Sequence, residues 1–102
     1  MCGRYALYSS AEEIATWFRA KGQINLTPSY NIAPSQLVPV VREVNEGRHL
    51  AMLTWGLVPF WARAAKTAYR MINARAETVA TKPAFRTAYR QRRCLIPADG
   101  FY

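Results

Sequence analysis

Apolar and polar residues first form a clear pattern over Ser10–Ala20, which predicts a helix. Ser10 and Glu13 have the spacing of a capping box, in which each side chain satisfies a free backbone N–H of the other residue. Three apolar residues then share one face at helical spacing: Ile14, Trp17 and Phe18. The pattern assigns Trp17 to the core and makes Gly22 the expected C-terminal stop.

Strand-forming residues dominate Gln36–Val44 and Arg48–Trp55, which predicts a hairpin closed by the turn Asn45-Glu46-Gly47. Gly47 is expected to supply the positive φ that a tight turn requires. Pro39 has no N–H to give to a neighbouring strand, which indicates an edge position.

The remaining segments complete an α+β pattern with a mainly antiparallel sheet and two helices. Residues 25–36 carry two prolines and several turn formers and are expected to form a loop. Thr81–Arg93 is expected to be the second helix, with Pro83 in its first turn. Cys94–Pro97 reads as a short apolar strand with Cys94 as a buried structural thiol.

Length and composition exclude several classes of protein. The 102 residues fit one domain at most, and 51% hydrophobic with 13% aromatic residues is too apolar for a disordered chain. No apolar run has the roughly 20 residues of a membrane helix. Two cysteines are too few for a disulfide scaffold, which favours a cytoplasmic location. The lone His49 has no partner Cys, Asp or Glu at ligand spacing, so no metal is expected. The sequence has no Walker loop and no glycine-rich dinucleotide fingerprint, so no cofactor is expected.

The positive charge of the chain is concentrated in one stretch. Of the net +8, residues 63–93 hold nine basic residues and a single acidic one, Glu77. Such focused charge favours a polyanionic partner, nucleic acid first, over a merely solvated basic face. Aromatic residues lie among these cations, at Trp61 and Tyr69 beside Arg63, Lys66 and Arg70, and unstacked bases bind such rings.

Cys2 has the sharpest chemistry in the sequence because it follows the initiator methionine. If Met1 is removed, Cys2 presents a thiol and a free α-amine on adjacent carbons. An α-amine titrates near pH 8, so part of it is neutral and nucleophilic under physiological conditions. The amine can form an imine with an aldehyde and the thiol can close a thiazolidine ring, or the pair can act as an N-terminal peptidase nucleophile. The alternative is an incidental small residue.

A second polar group lies in Ile72-Asn73-Ala74-Arg75-Ala76-Glu77-Thr78, which has neither helical nor strand periodicity. An asparagine can orient a reacting group through its donor and acceptor, and an arginine can bind phosphate through its fork of N–H groups. The alternative is a polar loop whose side chains close turns.

Five sequence blocks together resemble the SRAP (SOS response-associated peptidase) family over the whole chain. The blocks are Met1-Cys2-Gly3-Arg4-Tyr5, Tyr30-Asn31-Ile32-Ala33-Pro34, Trp55-Gly56-Leu57-Val58-Pro59, Ile72-Asn73-Ala74-Arg75-Ala76-Glu77-Thr78 and Cys94-Leu95-Ile96-Pro97-Ala98-Asp99-Gly100-Phe101-Tyr102. The resemblance implies a mixed, barrel-like α+β fold, and a DNA-damage role in which single-stranded DNA with an abasic site is bound and crosslinked as a thiazolidine.

The resemblance also implies roles for individual residues. Cys2 matches the nucleophile and Asn73 the asparagine that stabilises the crosslink. Arg4 and Arg75 match phosphate-binding arginines, Trp61 matches an aromatic wedge beside the lesion, and Pro34 matches a residue that lines the pocket. The basic stretch adds Lys82 and Arg86 as further DNA-binding candidates. No cofactor is implied, and the expected location is the nucleoid. The family also carries a proposed thiol autopeptidase activity.

The chain departs from the family pattern in length. The family motif continues after Gly100-Phe101-Tyr102 with an acid–base glutamate, and the family's second half carries a histidine. The expectation is therefore that residues 1–102 are the N-terminal part of a single SRAP domain. Self-association, or pairing with the other half, is then a further expectation. Three functions stay open: abasic-site crosslinking, a thiol peptidase, and a DNA-binding fragment without covalent chemistry.

Overall fold

The computed structural model describes residues 2–63 and 71–102, which contain two helices and antiparallel strands. The elements in chain order are β1 (Tyr5–Leu7), α1 (Ala11–Phe18), β2 (Ser29–Ile32), β3 (Leu37–Val44), β4 (Gly47–Thr54), α2 (Arg86–Gln91) and β5 (Gly100–Phe101). Within these residues the strands form one sheet of order β2-β1-β5 and a second of order β3-β4, and neither closes into a barrel. The predicted α+β class is confirmed.

The central strand of the larger sheet is β1, which lies between β2 and β5. Tyr5 pairs with Ile32 on one side and with Phe101 on the other, both antiparallel. The prediction of a loop over residues 25–36 is therefore wrong at β2. Its turn-forming residues adopt an extended backbone because β1 supplies the hydrogen-bonding partner, which a local pattern does not reveal.

The predicted hairpin is confirmed within one residue at each end, from the pair Leu37↔Thr54 to the pair Val44↔Gly47. The prediction for its turn is wrong, since Asn45 (φ 49°) and Glu46 (φ 63°) have the positive φ values and Gly47 does not. A two-residue turn places positive φ at both central residues, and Gly47 lies outside it because it pairs with Val44.

The segment after α2 contacts β3 at a single bridge instead of forming the expected strand Cys94–Pro97. Val41 and Leu95 exchange both backbone hydrogen bonds, at 2.9 and 2.8 Å. Cys94 is exposed, so its prediction as a buried thiol is wrong. One bridge orients a single residue, and the neighbouring side chain is left at the surface.

Helix α1 begins as predicted and ends earlier. The capping box of Ser10 and Glu13 is complete. The helix ends at Arg19, which adopts the left-handed conformation (φ 53°), so Gly22 is not its stop. Trp17 is 83% exposed, which contradicts its assignment to the core. In so short a helix, Ile14 and Phe18 pack against the core. Trp17 lies at the margin of that apolar face.

Helix α2 is shorter than predicted, because turns and bends replace most of its expected first half. Backbone N–H groups still bond four residues back, from Lys82 to Thr78 and from Arg86 to Lys82, each at 2.9 Å. Pro83 precedes the helix instead of lying in its first turn. The N-terminal residue Phe85 has no capping side chain, which explains the late and weak start.

The core lies between the two sheets and under α1. It consists of Tyr5, Leu7, Ile14, Ile32, Val38, Val40, Val41 and Leu50. Within residues 2–63 and 71–102, neither helix is long and apolar enough to cross a membrane. Because β1 is buried along its whole length and lies between β2 and β5, the exposed residues before it lead directly into this core.

Asp99 ties the strand β5 region to the start of α1. Its carboxylate accepts hydrogen bonds from the N–H of Tyr8 (2.7 Å) and from the N–H and hydroxyl of Ser9 (2.9 and 2.8 Å). These bonds, that of Tyr8 first, hold the pKa of Asp99 below its ordinary value. The pKa of Asp99 is therefore lower in the folded than in the unfolded chain. At neutral pH the carboxylate is ionised, and its hydrogen bonds contribute to the stability of the fold.

We expect this contribution to be lost as the pH falls through the folded pKa of Asp99, because protonation weakens all three bonds. Asp99→Asn should lower the thermal midpoint at neutral pH and flatten its fall below about pH 4. Glu43→Gln, at another exposed carboxylate, is the control. If the thermal midpoint of Asp99→Asn fell with pH in parallel with that of the unsubstituted chain, this role of Asp99 would be contradicted.

Candidate functional site

A cavity of about 280 Å³ lies beside Cys2. Its described lining is mostly apolar or aromatic and consists of Cys2, Tyr5, Val38, Trp55, Ile72, Ile96, Ala98 and Phe101. These residues come from the N-terminal segment, both sheets and the segments flanking α2. The fold therefore brings together four of the five sequence blocks that carry the family resemblance.

The backbone of residues 2–4 is anchored beside the cavity. The Arg4 carbonyl accepts a long 3.8 Å contact from the Cys2 thiol and a 3.4 Å hydrogen bond from the N–H of Tyr102. The Arg4 guanidinium donates a 3.0 Å bond to the side chain of Asn31. Cys2 itself is exposed, so its thiol is accessible at the edge of the cavity. Asn31 is a partner that the sequence analysis missed, although it lies inside a quoted block.

Tyr5 is buried below Cys2 and is 5% exposed. Its ring lies edge-on to Trp55, with centroids 5.4 Å apart. Among the described residues its hydroxyl has no hydrogen-bond partner. Burial raises the pKa of this hydroxyl, and the negative charge of an ionised Cys2 raises it further. No local pattern predicts this arrangement, since a tyrosine followed by Ala6 and Leu7 is typical of a core strand.

Two predicted site residues lie next to the cavity lining. Pro34 is half-buried and precedes Ser35, whose N–H donates a 3.0 Å bond to the carbonyl of Trp55. Asn73 is exposed and directly follows Ile72, a lining residue. Asn73 is therefore next to a lining residue in the chain, and Pro34 is linked to one through the backbone bond between Ser35 and Trp55.

The other predicted DNA-binding residues lie on the surface, outside the described lining of the cavity. Trp61 is 54% exposed and packs edge-on against Phe60, with centroids 5.0 Å apart. The three cations Arg75, Lys82 and Arg86 are exposed. Three further members of the predicted basic and aromatic stretch lie outside the described residues: Lys66, Tyr69 and Arg70. These three exposed cations are thus not part of the described lining of the small apolar cavity.

The chemistry available at the cavity is that of a thiol. In the described part of the chain, no three His, Cys, Asp or Glu side chains come together as a metal site would require. An accessible thiol beside an apolar cavity can attack an electrophile bound there.

Two solved structures are similar to the fold. A protein from Bacteroides thetaiotaomicron superposes with a TM-score of 0.82 over 98% of this chain and 47% of that chain, at 24% sequence identity. A protein from Bordetella bronchiseptica superposes with a TM-score of 0.76 over 99% of this chain and 50% of its own, at 27% identity. Both likenesses support the arrangement of elements described above.

Curated relatives are similar in sequence. The abasic site processing protein YoaM of Bacillus subtilis is 47% identical over all of this chain and 46% of its own length. The abasic site processing protein YedK of Escherichia coli is 32% identical over all of this chain and 47% of its own length. The chain thus spans about half the length of these relatives. The family model for SOS response associated peptidase (SRAP) matches residues 1–102, and the chain belongs to this family.

Proposed function

We propose that this chain binds abasic sites in single-stranded DNA and forms a covalent thiazolidine crosslink through Cys2, as part of the response to DNA damage. The observation that carries the proposal is the accessible Cys2 at the edge of a small apolar cavity. Membership of a family whose relatives are called abasic site processing proteins supports the same substrate. An abasic deoxyribose opens to an aldehyde, which is the electrophile that an aminothiol captures.

The crosslink needs two bonds, and both nucleophiles belong to Cys2. The α-amine, free once Met1 has been removed, attacks the aldehyde carbon, and loss of water leaves an imine. The thiol sulfur then adds to the imine carbon, the electron pair of the C=N bond moves to nitrogen, and nitrogen takes up the proton that the thiol released. The products are a five-membered ring and one water molecule, and no oxidant or cofactor is consumed.

The apolar lining supports this reaction because surroundings of low polarity favour loss of water from the first adduct. Trp55 and Phe101 form aromatic parts of the lining. Asn73 follows the lining residue Ile72, and in the proposal its amide orients the sugar. Pro34 precedes Ser35, whose N–H binds the carbonyl of the lining residue Trp55, and in the proposal Pro34 helps to line the pocket.

Binding to the DNA backbone rests on the exposed cations. Arg75, Lys82 and Arg86 belong to the stretch 63–93 that carries the excess charge. In the proposal they contact phosphates, while Arg4, whose guanidinium is already oriented by Asn31, binds phosphate nearest Cys2. Trp61 is exposed and can stack on a base next to the lesion. We place such a protein in the cytoplasm, at the nucleoid.

The test is incubation with single-stranded DNA that carries one abasic site. We expect a shifted band that survives heat and detergent on a denaturing gel. The control is the same oligonucleotide with a tetrahydrofuran abasic analogue, which has the same backbone but cannot open to an aldehyde. Equal covalent yield with both oligonucleotides, or none with either, would refute the proposed crosslink.

The same experiment separates the two alternatives. Binding without any covalent product, with an affinity that falls as salt rises, would identify a DNA-binding fragment. Cleavage of the bond before Cys2 or of an added peptide, with no DNA adduct, would identify a thiol peptidase. The basic stretch, with nine cations to one acid over residues 63–93, favours DNA over a peptide as the partner.

We further propose that residues 1–102 are the N-terminal part of a single domain. The chain spans about half the length of the relatives, and several large apolar side chains of residues 95–102 stay exposed: Leu95, Ile96, Phe101 and Tyr102. These side chains would pair with the rest of such a domain or with a second copy of the chain. We expect a dimeric mass by light scattering when the chain is alone, and a strictly monomeric mass would contradict self-association.

A further inference from the structure

The Tyr5 hydroxyl is a buried polar group whose presence the fold alone does not explain. The residue is 5% exposed, and within residues 2–63 and 71–102 its hydroxyl has no hydrogen-bond partner. Buried tyrosine hydroxyls usually find a partner, because an unsatisfied one loses its bonds to water without replacement. A phenylalanine would fill the same space beside Trp55 without this cost.

Cys2 is the group close to Tyr5 that can change its bonding. Both residues line the same cavity. The thiol now donates a long 3.8 Å contact to the Arg4 carbonyl. Once the thiol ionises it has no proton to donate, and sulfur and carbonyl oxygen then repel each other. A thiolate accepts hydrogen bonds, and the unused hydroxyl of Tyr5 is a donor at the same cavity.

We infer that Tyr5 is a positioning residue for Cys2: its hydroxyl donates a hydrogen bond to the Cys2 thiolate and holds the sulfur at the edge of the cavity. The ionised thiol gains a charge-assisted bond, which a chain without this hydroxyl cannot make. The rise in the pKa of Tyr5 caused by ionised Cys2 agrees with this closeness, and it keeps the hydroxyl protonated as a donor.

The consequence for DNA crosslinking rests on the proposed function. The held sulfur is the atom that adds to the imine carbon, while nitrogen takes up the proton that left the thiol. Tyr5 gains and loses no proton in the overall reaction. It acts through Cys2 and does not contact the DNA.

The test is the alkylation of Cys2 by iodoacetamide as a function of pH, which needs no DNA and no removal of Met1. A Cys94→Ser background removes the second exposed thiol. In Tyr5→Phe we expect the rate near pH 7.5 to fall about three- to tenfold, and half-maximal alkylation to move up by about half a unit to one unit. The thermal midpoint should stay the same or rise, since the variant removes an unsatisfied hydroxyl.

Tyr8→Phe is the matched control, because Tyr8 lies on the neighbouring surface, is 48% exposed and stacks on Tyr30. Its alkylation profile should equal that of the background chain, and Arg4 is unchanged in both variants. Superimposable profiles for Tyr5→Phe and Tyr8→Phe would overturn the inference. A DNA crosslink that fails while the Tyr5→Phe profile shifts would overturn the proposed function and leave this inference standing.

A second measurement covers the case in which Tyr5→Phe does not fold. Tyrosines labelled with ¹³C at Cζ report the ionisation of each hydroxyl by NMR. In Cys2→Ala the Tyr5 signal should titrate at lower pH than in the unsubstituted chain, because the negative sulfur is gone. An unchanged Tyr5 titration would contradict contact between the two groups.

Discussion

The heat-stable DNA adduct is expected to disappear completely in Cys2→Ala, while an adduct trapped by borohydride persists. The variant keeps the α-amine, which still forms an imine with the abasic aldehyde, but it has no sulfur to close the ring. An imine is hydrolysed during denaturation unless borohydride reduces it to a stable amine. The two readouts, on one gel with and without borohydride, therefore separate the two bonds of the reaction.

Two samples serve as controls for this prediction. Cys94→Ala removes the other exposed thiol and should retain both adducts. Protein that retains Met1 should lose the heat-stable adduct but not the trapped one, since the Met1 amine still forms an imine while the thiol is no longer on the same residue. A heat-stable adduct in Cys2→Ala would place the nucleophile elsewhere. Loss of the trapped adduct as well would mean that the amine does not attack first.

Leu7→Ala should destabilise the fold by about 2–5 kcal/mol, the range measured for a buried leucine truncated to alanine. Leu7 is 2% exposed and lies in the central strand β1, so the vacated volume is closed in by the core. Domains of this size are stable by only about 5–15 kcal/mol, so the loss is a large share of the total. Denaturant unfolding followed by tryptophan fluorescence measures the change.

Leu37→Ala is the matched control, because the residue is the same and it is 65% exposed in β3. We expect its free energy of unfolding to change by less than about 0.5 kcal/mol. Equal losses for the two variants would contradict the placement of β1 at the centre of the core. Such a result would also mean that β1 is not a buried support for the segment that carries Cys2.

The proposed function divides the work between two parts of the molecule. The covalent step involves atoms of one residue beside a small cavity, whereas affinity for DNA depends on exposed cations spread over the stretch 63–93. Covalent yield and salt-dependent affinity should therefore respond to different substitutions. This separation is why a denaturing gel, which ignores non-covalent binding, is the decisive measurement.

Local sequence signals predicted the elements whose stability is itself local. The capping box joins residues three apart, Ser10 and Glu13, and the hairpin pairs two strands that follow each other in the chain; both were confirmed. Only the position of the positive φ values in the turn was wrong, since they lie at Asn45 and Glu46. The prediction for α2 was wrong in length because no side chain caps it at Phe85. Strand β2 was missed because its backbone bonds go to β1, more than twenty residues away.

The sequence by itself determined the α+β class, the family, the concentration of charge and the aminothiol chemistry available to Cys2. Each depends on residue types and their order along the chain. Only the tertiary structure decided that Trp55 and Phe101 lie beside Cys2, that Trp17 is exposed, and that the hydroxyl of Tyr5 is buried without a described partner. The position of Phe101 depends on the pairing of β5 with β1 across nearly the whole chain, and no local pattern encodes such a long-range contact.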